Sequence, residues 1–229
     1  MIETNIFLKY PRLLITAFIV VVLIVLFSTG QVVTIVRNGA STAEDSFPSS
    51  GLDFNAVAYV ERIWPTQVLP AAKHDSVPLT VFLSDFEKNQ ANALKKYSHK
   101  VSGSNNVIVE FSGVVQGDDT SSPIGTMLVN VKDGAKIIPV QVSIGPVILG
   151  TSLRDSLKFI SFEEFLNQIQ YGNVADQLNK TVVSKVVSSL NIQGLKGKTI
   201  TVYGAYTLSS GDPDNITVTP VIITEGMTG

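Results

Sequence analysis

The chain has 229 residues, of which 45% are apolar, enough for one well-buried domain and an anchor. Its 17 basic and 19 acidic residues give a net charge of −2, so no global field draws it to nucleic acid, and we exclude nucleic-acid binding as its main role. The sequence contains no cysteine, which excludes disulfides and lipid attachment to a cysteine, and we expect the fold to depend on its core alone.

The N-terminal region contains a candidate membrane anchor. Residues 13–36 are uncharged and, as a helix, would reach roughly 36 Å, enough to cross a bilayer. Lys9 and Arg12 precede the segment and Glu44 and Asp45 follow it, so the positive-inside rule places residues 1–12 in the cytoplasm and the rest outside. A cleaved signal peptide with small residues near position 28 is the alternative. Both interpretations predict an exported domain.

A stalk and two helices are predicted next. Residues 37–53 are rich in Gly, Ser and Pro, which indicates a flexible stalk before an extracytoplasmic α+β domain at 54–229. The apolar spacing predicts a first helix over 55–64, ended by Pro65, and a second over 78–96. These helices form a predicted N-terminal helical subdomain.

The remaining chain alternates between strand and helix patterns. Alternating apolar residues predict strands near 107–115, 126–131 and 137–144, then a helical insert that opens with a capping box at Ser161 and Glu164, then strands over 199–208 and 216–224. This order predicts an OB-like five-stranded antiparallel barrel over about 105–224 with a helix between strands three and four. Gly113 and Gly204 lie mid-strand, where a small barrel bends sharply. An α+β domain of another topology is the alternative.

Five stretches together resemble a known family. The sequence is similar to the bacterial predicted periplasmic lipoproteins called domain of unknown function 2291 over about residues 55–224. The similar stretches are Val60–Trp64, Phe111–Val115, Ile144–Asp155, Phe162–Gln168 and Val202–Thr207. The resemblance implies an accessory role in the bacterial envelope, since members are commonly encoded beside sugar-type ABC importers. It implies no catalytic residue, and the missing cysteine departs from the lipoprotein pattern, so the anchor would be the helix at 13–36.

The best candidate binding site combines two polar pairs. Arg154 and Asp155 follow a Gly-Pro and Gly-Thr run, and Asn167 and Gln168 lie on the next helix. An Arg fork beside carboxylate and amide groups suits a sugar hydroxyl, a carboxylate or a partner's backbone. A structural role remains open: Thr151 would cap a short helix and Arg154 would pair with an acid such as Glu163 or Glu164.

Trp64, the only tryptophan, is the other candidate. Its ring would serve as a stacking platform for a sugar or as a core residue that joins the helices to the barrel.

Catalytic and metal sites receive little support from the sequence. His74 and His99 are the only histidines, and neither has the partners of a zinc site. His74–Asp75 would form a carboxylate-oriented base in a cell-wall hydrolase, or would be exposed loop residues. The acidic turns at Asp118, Asp119 and 212–215 lack the ligand order of a calcium loop. We expect no cofactor and no enzymatic activity.

We therefore interpret the chain as a single-pass membrane-anchored accessory protein whose partner is another envelope protein, such as a sugar ABC-transporter component. The alternative is direct binding of a small sugar or metabolite.

Overall fold

The structure, a computed structural model, describes residues 54–208 and 215–226. They belong to one compact unit that spans Leu52–Gly229. The predicted membrane anchor at 13–36 and stalk at 37–53 lie outside the described residues. Within the described ranges, none of the helices is both long enough and apolar enough to cross a membrane.

The first predicted helix continues past its expected end. Helix α1 (Ala56–Ile63) begins where the Asn55 side chain accepts a hydrogen bond from the Ala58 N–H at 3.0 Å. A π-helical turn over Trp64–Val68 then places the Leu69 N–H on the Trp64 carbonyl, five residues back, and leads into α2 (Leu69–His74). The prediction that Pro65 ends the helix is therefore wrong, because the wider turn accommodates the residue that lacks an N–H.

The second predicted helix is two helices. Strand β1 (Val77–Pro78) precedes α3 (Leu79–Lys88), and α4 (Gln90–Tyr97) follows after one extended residue, Asn89. The Asn89 side chain accepts a hydrogen bond from the Asn92 N–H at 3.0 Å. The prediction of one continuous helix fails because this side chain caps a new helix instead of extending the old one.

The strands agree closely with the alternating pattern in the sequence. After the short strand β2 (His99–Val101), the five long strands are β3 (Ser104–Asp119), β4 (Thr126–Asp133), β5 (Lys136–Ser143), β6 (Thr199–Leu208) and β7 (Ile216–Glu225). Strand β3 pairs with both β4 and β6, and the order β3-β4-β5-β7-β6 closes into a ring.

The ring is mixed rather than antiparallel. Four of its pairings are antiparallel, but β5 and β7 run parallel over the three residue pairs that begin with Val140 and Ile216. Alternating strand directions cannot close a ring with an odd number of strands, so five strands require at least one parallel pair. The expectation of an antiparallel barrel is corrected on this point.

Two mid-strand glycines let neighbouring strands approach closely. A Cβ atom at Gly113 would lie 2.6 Å from the Asn130 carbonyl oxygen, and one at Gly204 would lie 2.5 Å from the Thr219 carbonyl oxygen. The pairing of β6 with β7 also shifts register between Tyr203 and Gly204. Both positions therefore require a residue without a side chain.

A helical insert fills the interval between β5 and β6. It contains α5 (Ser152–Ser156), a 3₁₀ turn at Phe162–Glu164, α6 (Gln168–Lys185), and further 3₁₀ turns at Val187–Ser189 and Ile192–Leu195. The predicted capping box is present, but it opens the 3₁₀ turn, while Asn167 caps the long helix. Gly172 lies inside α6 and does not interrupt it. Helices and ring share one continuous apolar core.

Candidate functional site

An open cavity of about 690 Å³ lies where the helical insert meets β2. Strand β2, the segment after α5 and the first turns of α6 form its walls. Its polar and aromatic lining residues are His99, Lys100, Ser102, Arg154, Lys158, Ser161, Phe162, Glu163, Gln168 and Tyr171. Two of them, Arg154 and Gln168, are residues that the sequence analysis selected.

Arg154 and Asp155 form a buried ion pair at the base of this cavity. The Arg154 Nη2 atom lies 2.6 Å from Asp155 Oδ1, and the Nε–H donates to the same oxygen at 2.8 Å. Only 9% and 8% of the two side chains are exposed. Arg154 thus pairs with its sequence neighbour and not with Glu163 or Glu164, the partners that the structural interpretation suggested.

Tyr171 completes the arrangement around the arginine. Its backbone carbonyl accepts a hydrogen bond from Arg154 Nη1 at 3.1 Å, and its ring centroid lies 3.6 Å from the guanidinium carbon. Burial raises the pKa of the Tyr171 phenol; the Asp155 carboxylate adds to that rise and the Arg154 charge opposes it. The guanidinium is therefore held by a carboxylate, a carbonyl and an aromatic face.

Asp155 links the insert to strand β2. Its Oδ2 atom accepts a hydrogen bond from the Thr151 hydroxyl at 2.5 Å, and its backbone carbonyl lies 2.8 Å from His99 Nδ1. Because a carbonyl oxygen only accepts hydrogen bonds, His99 Nδ1 carries the proton. The Thr151 side chain does not cap α5, contrary to the structural role suggested for it by the sequence. The Arg154–Asp155 pair thus holds this wall of the cavity together, and the guanidinium and carboxylate bond to each other.

The other selected residues are divided between two roles. Asn167 caps α6, since its Oδ1 atom accepts from the Gln170 N–H at 2.9 Å. Gln168, the first residue of α6, lines the cavity. Trp64 lies in the core with 3% of its surface exposed and does not border the cavity. The structure therefore brings Arg154, Asp155 and Gln168 to one place, and leaves Trp64 apart.

Several lining residues were missed by sequence reasoning. Tyr171 had a usable signal, because it lies three positions after Gln168 and so on the same face of α6. Lys100 and Lys158 carry no motif, and 58 positions separate them in the sequence. Only the tertiary fold brings these lysines to one cavity.

The His74–Asp75 pair and the acidic turn at Asp118 and Asp119 do not line this cavity. His74 Nδ1 lies 2.8 Å from Asp75 Oδ1, but 89% of the His74 side chain is exposed at the end of α2. The Asp119 carboxylate accepts hydrogen bonds from the Ser121 hydroxyl and N–H, which lower its pKa. Among residues 54–208 and 215–226, no cluster of three or more His, Asp or Glu side chains could hold a metal ion.

A second feature is an exposed apolar ridge formed by Ile124, Val147 and Leu149. Their exposed fractions are 50%, 42% and 62%. The two loops that carry them are joined, because the Val147 N–H donates to the Pro123 carbonyl at 3.1 Å and the Gly145 N–H donates to the Gly125 carbonyl at 2.9 Å. The ridge therefore has a defined backbone.

The amide of Asn179 fixes this ridge to the long helix α6. Its Nδ2 atom donates to the Ile148 carbonyl at 3.2 Å and to the Gly150 carbonyl at 2.9 Å. Both loops lack charge: residues 120–131 and 137–153 contain no Asp, Glu, Lys or Arg. The ridge is thus a rigid, uncharged apolar surface.

The strand ring and its helical insert define the class of this protein. A five-stranded ring in the order β3-β4-β5-β7-β6, with a helix between its third and fourth strands, is the arrangement of the OB-fold. The chain belongs to the family of predicted periplasmic lipoproteins called domain of unknown function 2291, whose sequence profile matches residues 20–224. This family indicates a membrane-associated, extracytoplasmic location.

A solved structure supports the fold. The chain is similar to an OB-fold protein from Thermotoga maritima MSB8, with a TM-score of 0.64 and 19% sequence identity. The similarity covers 76% of this chain and all of the other. No curated protein matches the chain. At this identity the likeness concerns the fold alone.

Proposed function

We propose that this protein is a non-enzymatic accessory protein of the bacterial envelope, held at the membrane by a single helix at 13–36, and that it acts by binding. The anchor would be this helix because the 229 residues contain no cysteine for a lipid. The family resemblance supports a role beside an ABC-type sugar importer. The exported location of its relatives supports an extracytoplasmic domain.

The observation that carries a binding role is the cavity beside the Arg154–Asp155 pair. Its volume of about 690 Å³ suits a small molecule such as a sugar or metabolite. The buried pair holds the wall in one geometry, while Gln168 at the rim is exposed and offers an amide for hydroxyl groups. A preorganised wall with an adaptable polar rim supports ligand binding.

A thermal-shift screen of the full-length protein in neutral detergent tests this proposal. A ligand at 100 times its dissociation constant should add about 2.7 kcal/mol to the stability of the folded state. Gln168→Ala should weaken the effect, whereas Asn173→Ala, an exposed amide on the same helix that does not line this cavity, should not. Equal stabilisation of both variants would remove the cavity from consideration.

The second candidate function is docking of another envelope protein on the apolar ridge. Three exposed apolar side chains on joined, uncharged loops resemble the centre of a protein interface more than a solvated surface. The partner surface would be apolar and uncharged, and a component of a sugar importer is the partner that the family resemblance favours.

Cross-linking in intact cells tests the docking proposal. A photoreactive residue at Leu149 should capture an importer component, and Val147→Ser should reduce the yield. Ile137→Ser, which changes an exposed apolar residue on β5, is the matched control. Capture that is equally strong from position 137 would contradict a specific role for the ridge.

A hydrolase remains the weakest candidate. His74 is almost fully exposed at a helix end, and neither it nor Asp75 borders the cavity. We propose no catalytic step for this pair.

A further inference from the structure

We infer that the ligand of the cavity is a small hydroxylated anion, a sugar acid or a sugar phosphate, and that Lys100 and Lys158 contact its charged group. This inference rests on the proposed ligand-binding function and specifies the chemical class of the ligand. The inference follows from the charged side chains that line the cavity, because some of them are paired with an opposite charge and others are not.

The positive charge available to an anionic ligand does not come from Arg154, because Asp155 already neutralises it. The Arg154 guanidinium shares two hydrogen-bonded contacts with Asp155 Oδ1 and stacks on the Tyr171 ring. Removing Asp155 from this pair to admit a ligand carboxylate would leave a buried, unpaired charge, which costs several kcal/mol. A neutral or negatively charged ligand therefore meets a pair whose charges already cancel.

The lysines differ from the arginine in this respect. Lys100 follows His99 in strand β2 and Lys158 follows α5; both side chains line the cavity and both residues are exposed. Neither side chain forms an ion pair or hydrogen bond with another described residue. Two ammonium groups, one on β2 and one after α5, therefore remain available to a ligand.

One acidic side chain lines the same cavity. Glu163 belongs to the 3₁₀ turn, and its carboxylate accepts a hydrogen bond from the Ser161 hydroxyl. With Arg154 compensated by Asp155, the lining retains two positive charges and one negative charge. The local balance is positive although the whole chain carries −2, so the cavity favours an anion.

The uncharged lining groups indicate the rest of the ligand. The Gln168 amide is exposed at the rim, and His99 has its Nδ1–H occupied by the Asp155 carbonyl, which leaves Nε2 as an acceptor. An amide and an imidazole acceptor suit hydroxyl groups. A carboxylate or phosphate on a hydroxylated body satisfies both the lysines and these neutral groups.

Calorimetry on the full-length protein in neutral detergent tests this inference with three probes: glucuronate, glucose 6-phosphate and glucose. We expect at least one anionic probe to bind about tenfold or more tightly than glucose, a difference of about 1.4 kcal/mol. The preference should shrink as salt is added, since the lysines are exposed. The two anionic probes distinguish a carboxylate from a phosphate.

Charge-removing variants locate the site. Lys100→Gln with Lys158→Gln should abolish the preference for the anion over glucose, because both ammonium groups are lost. Lys180→Gln, which removes an exposed lysine of α6 that does not line this cavity, should leave the preference intact.

Each outcome has a definite meaning. Glucose binding equal to that of both anions, or a preference that survives the double substitution, would overturn the inference and leave the proposed ligand-binding function standing. Binding of none of the probes would count against both.

Discussion

The guanidinium carbon of Arg154 lies 3.6 Å from the centroid of the Tyr171 ring. Arg154 belongs to α5 and Tyr171 to the long helix α6, so this stacking contact joins the two helices. The same guanidinium binds the Asp155 carboxylate and the Tyr171 carbonyl. These contacts form one wall of the cavity.

Asp155→Ala should destabilise the protein strongly. The substitution would leave the buried Arg154 charge without its carboxylate, and breaking a buried pair costs about 3–5 kcal/mol. Urea denaturation measures the change in the free energy of unfolding. Glu225→Ala is the control, because its pair with Lys198 is 2.9 Å long but about half exposed and should contribute less than about 1 kcal/mol. Equal effects of the two substitutions would contradict the buried role of Asp155.

Gly145→Ala should destabilise the loops that carry the apolar ridge. A Cβ atom at this position would overlap the Gly125 nitrogen and the Pro123 carbonyl oxygen, so two backbone segments would have to separate. We expect a loss of about 1–3 kcal/mol in the free energy of unfolding.

Gly117→Ala is the matched control, since no atom lies within 4 Å of a Cβ atom there. Hydrogen exchange of the Val147 amide, which donates to the Pro123 carbonyl, reports on the same contact. Unchanged exchange in Gly145→Ala would contradict the close approach.

Trp64→Ala should cost about 3–5 kcal/mol, because this residue, the first of the π-helical turn, is only 3% exposed and packs in the core. Circular dichroism during urea unfolding measures the loss, since the variant has no tryptophan fluorescence. Val57→Ala, an exposed apolar residue of α1, should change the free energy of unfolding by less than about 0.5 kcal/mol. A small effect at Trp64 would instead favour a surface role for its ring.

Ionisation of the Tyr59 phenol should lower the free energy of unfolding at alkaline pH. Burial raises the pKa of its phenol to about 12, and the charge and hydrogen-bond acceptor of Glu164 add to the rise. Because the pKa in the folded state exceeds the unfolded value of about 10, the contribution is fully present below pH ~10 and is lost as the pH rises towards 12. Tyr59→Phe should lack this alkaline loss when unfolding is measured across the range.

Glu164→Gln provides the control for the tyrosine titration. Glutamine still accepts the hydrogen bond from the Ser161 N–H in the capping box but carries no charge. Spectrophotometric titration should show that Tyr59 ionises at a lower pH in this variant. An unchanged titration would contradict the contribution of the Glu164 charge.

Local pattern predicted most of the ring. Strands β6 and β7 begin at the expected residues, Thr199 and Ile216, because buried positions alternate with more exposed ones over the first residues of each strand. The mixed pairing was missed, since strand direction is decided by ring closure and not by any residue of β5 or β7.

Helix boundaries were predicted less well. Pro65 and Asn89 act in opposite senses: a wide turn carries the helix past the proline, and a side-chain cap divides a helix at the asparagine. Both outcomes depend on hydrogen bonds that several backbone conformations would satisfy. The sequence alone does not select among them.

The sequence by itself determined that the chain forms strands and helices in the order of an OB-fold, because apolar periodicity specifies which face of each element is buried. It also drew attention to Arg154, Asp155 and Gln168. Only the tertiary structure decided that Arg154 is occupied by Asp155 while Lys100 and Lys158 remain free at the same cavity. The physical reason is that charge compensation depends on side-chain conformation and on which segments the fold brings together around the cavity, and apolar periodicity encodes neither.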